Sequence, residues 1–171
     1  PFLLNPDMPS DGMERNTYLT RKFGTETRVR RVYGAISDAG QSVEIDFAFD
    51  RIRRTPNSVN SHRLVRFAER HGNADATVES LFLNYFVNGR NIGEVDVLLK
   101  IGTALGLPES ELTDYLSGDE DTALIHDENA RAHRRGINSV PSFILGGSMA
   151  ISGAHEPQVL ARMLDAAVAA A

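Results

Sequence analysis

No cysteine and no tryptophan occur among the 171 residues. Without cysteine this chain can form no disulfide framework, no thiolate nucleophile and no Cys-ligated zinc site. An excess of positive charge is also missing: 18 Lys and Arg stand against 23 Asp and Glu, a formal net charge of −5. A nucleic-acid partner usually announces itself as a basic domain or stripe, so no nucleic-acid partner is expected. No apolar run approaches the roughly 20 residues that cross a bilayer, so no membrane partner is expected either. What is present, 42% hydrophobic and 24% charged residues, is too apolar for disorder and ordinary for a globular protein. The length suits one domain, or one domain with a large insertion, and can bury a sizeable core.

The chain opens Pro1-Phe2-Leu3-Leu4-Asn5-Pro6-Asp7, with no charged leader or signal-peptide layout. Phe2 to Leu4 read as the tail of a strand, ended by the Asn5-Pro6-Asp7 turn. Folds seldom begin halfway along a strand, so an upstream segment is expected.

Helical patterns with sharp stops dominate the rest of the chain. Residues 13–23 read as a helix stopped by Gly24. Thr25 caps the next, in which Val29, Val32, Tyr33 and Ile36 recur along one face until Gly40. Ser42 to Phe49 alternates, with Val43, Ile45, Phe47 and Phe49 on one side, as a half-buried strand or extended segment. Helices are predicted at about 59–71, 75–88, 94–105, 109–117 and 119–135, with stops at Gly72, Gly89, Gly106, Gly118 and Gly136. Ser142–Leu145 and Met149–Ile151 flank Gly146-Gly147 as a hairpin, and a last helix begins near Pro157. A hairpin needs further strands or a helix against it, and Phe2–Leu4 with something upstream are the natural partners. The expected fold class is α/β, with a small mixed sheet into which a helical block is inserted.

Gly136-Ile137-Asn138-Ser139-Val140-Pro141-Ser142-Phe143-Ile144 is the most informative stretch. Proline cannot donate to a ladder, so Pro141 belongs at a strand start or on an edge. Taken alone, the spacing favours a helix stop, a turn and a strand entered through proline. Yet this run, with Ile151-Ser152-Gly153-Ala154-His155 and a terminal helix after it, resembles the thioredoxin superfamily. More narrowly it resembles the cytoplasmic DsbA-like branch with a helical insertion, the FrnE-type proteins. Three other stretches agree: Pro1 to Pro9, Arg53-Arg54-Thr55-Pro56-Asn57-Ser58 with Ser61-His62-Arg63-Leu64, and Asn84 to Gly93.

The resemblance implies a thioredoxin-like mixed sheet whose N-terminal part is missing. Residues 1–12 would be the remnant of its strand and turn, 13–135 a mainly helical insertion, and 136–171 the cis-proline loop, hairpin and final helix. It implies a thiol–disulfide oxidoreductase or isomerase acting on a thiol or disulfide of a protein or small molecule, in the cytoplasm. Ser139, Val140 and Pro141 would hold the substrate strand, and Thr55, Pro56 and Asn57 would approach the same site. By residue chemistry alone, Asn57 is better read as a turn residue capping the following helix. The family's Cys-x-x-Cys would precede Pro1, so no catalytic residue is expected in the visible chain. No cofactor or metal is required.

Related 2-hydroxychromene-2-carboxylate isomerases and kappa-class glutathione transferases place a serine at the first cysteine and bind glutathione. A glutathione-dependent enzyme is therefore the alternative reading, and a non-catalytic binding module is a third. His126 and His133 share a helix without His-Glu-x-x-His spacing and read as a solvated face. His155 reads as a capping or surface residue, and no Gly-x-Ser-x-Gly elbow occurs. The clusters Arg28, Arg30, Arg31 and Arg51, Arg53, Arg54 read as mostly solvated, with Arg53 and Arg54 bordering the substrate groove. Leu81, Phe82, Tyr85 and Phe86 read as core. Part of such an apolar face could serve a homodimer.

Overall fold

The computed structural model describes residues 1–147 and 149–169. The chain divides into two compact units, a larger one at Asn5–Ile125 and a smaller one made of Pro1–Leu4 and His126–Ala171. The boundary falls inside one helix, α7 (Thr122–Arg134).

In the larger unit a short antiparallel pair, β1 (Met13–Glu14) and β2 (Arg54–Thr55), joins Met13 to Thr55 and Glu14 to Arg54. The predicted helix at 13–23 therefore starts two residues late, as α1 (Arg15–Phe23). Glu14 caps it, its carboxylate accepting the Asn16 and Thr17 N–H groups at 2.9 and 2.7 Å. Those donors hold the Glu14 carboxyl below the usual range, because they stabilise its charged form. The second helix, α2 (Glu26–Gln41), is capped by Thr25, whose hydroxyl accepts the Arg28 N–H.

The alternating Ser42–Phe49 segment pairs with no strand among the described residues. A turn closes on Gly40, Glu44 takes a positive φ of 62°, and a 3-10 turn follows at Phe49–Arg51. With no neighbouring strand, the apolar side of this segment turns to aromatic packing instead. The Phe47 and Phe49 rings lie 4.9 Å apart and stacked, and Tyr33 meets Phe49 edge-on at 4.7 Å.

The core lies among α3 (Val59–Glu69), α4 (Ala74–Phe82), α5 (Val95–Ala104) and α6 (Glu109–Ser117). Leu64 and Phe67 on α3, Leu98 and Ile101 on α5, and Leu112 and Leu116 on α6 are buried at helical spacings of three and four. Gly102 lets α6 approach closely, since a Cβ there would collide with a Leu112 methyl. Each fully buried leucine of this kind stabilises the fold by about 1.5–3 kcal/mol.

Arg63 is 2% exposed and closes one end of this core. Its guanidinium donates to the carbonyls of Tyr115, Gly118 (2.9 Å) and Glu120 (2.7 Å), and to Asn60 Oδ1 (2.8 Å). A cation thus satisfies carbonyls that the C-terminus of α6 leaves open. Beside it, Tyr115 lies 2.8 Å from Asp121 Oδ2, and burial pushes its phenol pKa well up, helped by that carboxylate.

The smaller unit holds β3 (Ser142–Leu145) and β4 (Met149–Ser152), antiparallel with Phe143 opposite Ile151. The predicted glycine turn is confirmed, Gly146 and Gly147 having φ of 56° and 76°. Helix α8 (Pro157–Ala169) packs against β3. Phe2–Leu4, however, is not a strand here. Leu3 is buried and its N–H donates to Asn129 Oδ1 at 2.8 Å, so a side chain takes the place of a ladder partner. The sheets among the described residues are two antiparallel pairs. No helix among those residues is long and apolar enough to cross a membrane.

Candidate functional site

Ser139, Val140 and Pro141 enter β3 from the end of α7. The helix finishes at Arg134, and Gly136 just beyond it has a φ of 78°, the left-handed turn that an α-helix exit favours. Ser142 Oγ then donates to the Ser139 carbonyl at 2.7 Å, and the Gly153 N–H donates to the Pro141 carbonyl at 2.8 Å. These two bonds fix the loop on either side of Val140. The Val140–Pro141 peptide bond is cis. Val140 itself is 47% exposed, and among the described residues neither its N–H nor its C=O is hydrogen bonded. Ser139 and Pro141 are exposed too.

Thr55, Pro56 and Asn57 lie in the larger unit, between β2 and α3. Gly12 allows the chain to pass over them: it adopts φ of 73°, and a Cβ there would stand 2.5 Å from the Thr55 carbonyl oxygen. Asn57 is engaged at both ends of its amide. Its Nδ2 donates to the Met8 carbonyl at 2.8 Å, and its Oδ1 accepts the Val59 N–H at 3.0 Å, at the start of α3. Thr55 is buried, and Pro56 is half-buried. The six residues expected to share a site thus fall into two contiguous triplets, one in each unit.

Beneath Thr55 lies a residue that sequence reasoning passed over. Arg15 is 7% exposed, and its guanidinium donates to Thr55 Oγ1 (3.1 Å), Tyr85 OH (3.1 Å) and Tyr33 OH (2.7 Å). A buried cation held by hydroxyls needs several of them to offset its desolvation. Burial also raises the Tyr85 phenol pKa, against the pull of Arg15. Nothing in the local pattern of α1 marks Arg15, because Tyr85 and Thr55 lie 70 and 40 residues away.

Of the two arginines expected to border a groove, Arg54 pairs with Asp11 at 3.0 Å and lines a polar cleft of about 330 Å³ with Asn91 and Glu94. Arg53 is exposed. His126, His133 and His155 are exposed, His133 against the Phe2 ring and His155 near the Ser152 carbonyl.

Residues 1–165 match the DSBA-like thioredoxin domain. The chain belongs to that family. Two solved structures share the DsbA fold. One, described as a probable DsbA oxidoreductase from Streptomyces coelicolor, superposes with a TM-score of 0.88 at 20% identity, over 98% of this chain and 73% of its own. The other, described as a candidate protein disulfide isomerase from Nitrosomonas europaea, gives a TM-score of 0.70 at 16% identity, over 84% of this chain and 75% of its own. No curated protein sequence matches the chain. The fold class read from the sequence, a thioredoxin-like α/β fold, is the one found.

Proposed function

We propose that the protein is a DsbA-like thiol–disulfide oxidoreductase that holds its substrate as an extended strand against Val140. The carrying observation is that Val140 stands exposed at the entrance to β3 with its N–H and C=O unpaired among the described residues. An extended peptide, or the backbone of a small thiol, meets such groups in strand-addition fashion, with main-chain bonds giving affinity without demanding a sequence. Ser139 and Pro141 flank that contact.

A cysteine pair outside these 171 residues, upstream of Pro1, supplies the chemistry. One thiolate attacks a sulfur of the substrate disulfide. The new S–S bond forms as the old one breaks, and the departing sulfur takes up a proton. The second thiolate then displaces the substrate from the mixed disulfide. Two electrons and two protons pass from the enzyme dithiol to the substrate, or in the opposite direction when a substrate dithiol is oxidised. The residues of this chain bind and orient the substrate, and no cofactor takes part.

The test compares the gene product translated from its own initiator methionine with the 171-residue chain. The former is expected to reduce insulin disulfides and the latter to stay at background. A glutathione-dependent isomerisation without disulfide exchange would instead support the serine-based reading, and binding of peptide without turnover the non-catalytic one.

A further inference from the structure

The larger unit carries a second site, independent of the Val140 loop. A cavity of about 430 Å³ opens between α2, the 45–49 segment and the end of α4, in the size range of small-molecule pockets. Tyr33, Phe47, Phe49, Phe82 and Phe86 give it five aromatic rings. Phe86 meets Phe47 and Phe49 nearly edge-on, at 5.9 and 6.4 Å. Phe82 is 55% exposed and Phe86 is only half-buried, which corrects the expectation that both are core; their neighbours Leu81 and Tyr85 are buried.

The walls are tied in place without a ligand. Phe47 packs on Gly40, where a Cβ would come within 2.6 Å of its ring. The Ala48 N–H donates to the Phe86 carbonyl at 2.8 Å, fastening the 45–49 segment to a π-helical turn at Leu83–Val87. Such turns inside helices recur at functional sites. Within the lining the single ionised side chain is Glu79, one turn before Phe82. It is exposed, and its carboxylate has no hydrogen bond or ion pair among the described residues.

We infer that this pocket binds a bulky hydrophobic organic cation, an aryl- or alkylammonium, with its apolar body among the phenylalanines and its positive charge toward Glu79. Ring faces attract cations through their quadrupoles, and the unpaired carboxylate adds an attraction that an anion of the same shape would feel as repulsion. The volume exceeds what a bare trimethylammonium fills, so the ligand carries a ring or chain.

The test titrates the chain with trimethyl(naphthyl)ammonium and with naphthalenesulfonate, which share a ring system and differ in charge. Equilibrium dialysis is expected to show one ammonium bound per chain, about tenfold tighter than the sulfonate, the gap expected where the Glu79 carboxylate attracts one probe and repels the other. Glu79→Gln should erase most of that gap, and Phe82→Lys should abolish ammonium binding. Both residues are exposed, so circular dichroism and Tm should hold. Equal affinity for the two probes, a gap unchanged in Glu79→Gln, or no binding of either would overturn the inference. So would a second copy of the chain covering the pocket, seen as a dimer that Phe82→Lys dissociates and that the ammonium does not displace.

Discussion

The two units handle their apolar side chains differently. In the larger one, Leu64, Leu98 and Leu112 are wholly buried against one another, and even a guanidinium, that of Arg63, is enclosed and fully engaged. In the smaller one, Leu3 and Ile151 are buried, while Val140, Ile144 and Leu164 stand about half exposed and α8 buries none of its residues. The larger unit supplies stability through a closed core, and leaves Ile36, Ile45, Phe82 and Leu83 open at its aromatic cavity. The smaller presents open main chain and open apolar faces, which is where recognition of a substrate strand is proposed.

That contrast breaks most visibly at Arg63. Arg63→Met keeps the bulk but strands the Tyr115, Gly118 and Glu120 carbonyls, and at about 1–3 kcal/mol for each unsatisfied group the loss should be about 4 kcal/mol. Leu98→Ala should cost about 3 kcal/mol, within the range for cavity-forming core truncations. Urea melts of both variants should show a lower midpoint with an unchanged slope.

The phenols give a smaller effect, confined to alkaline pH. Tyr115 and Tyr85 both have pKa values raised in the fold, so their neutral forms are the ones the structure favours. Their contribution is intact below the ordinary tyrosine value of 10 and is lost as pH rises above it, because the unfolded chain then releases those protons first. Tm followed from about pH 8 to pH 11 should fall at the alkaline end, and less steeply in Tyr115→Phe. The smallest effect belongs to the open unit. Ile144→Thr and Leu164→Ser should change stability by no more than about 0.5 kcal/mol. A loss above about 1.5 kcal/mol would mean that these faces are covered in solution, and the contrast between the units would fail.

Much of the helical unit could be read from local pattern. Gly72, Gly89, Gly106 and Gly136 end their helices with positive φ, as their positions suggested. Gly118 ends α6 differently, with φ of −88°, its carbonyl turned to Arg63. The failures have non-local causes. Ser42–Phe49 alternates like a strand, but alternation reports two chemical faces and not the presence of a partner strand. Phe2–Leu4 has strand-like residues, yet its buried amide is met by Asn129, 126 positions away. Arg15 and Arg63 look like surface arginines, since their partners come from distant elements. The Val140-Pro141 loop was found through family resemblance more than spacing, because a proline-entered strand is common. The cavity at Phe82 went unseen because an aromatic pair at helical spacing reads the same whether it faces a core or an opening.

The central claim is that Val140 offers its main chain to the substrate strand, and replacing its amide tests this most directly. In the intact gene product, Val140→Pro removes the main-chain N–H that is unpaired among the described residues. Insulin reduction by this variant should lose about tenfold or more in kcat/KM, the effect of about 1.4 kcal/mol, with Tm close to that of the parent. Turnover equal to the parent's, in a protein equally stable, would contradict the account.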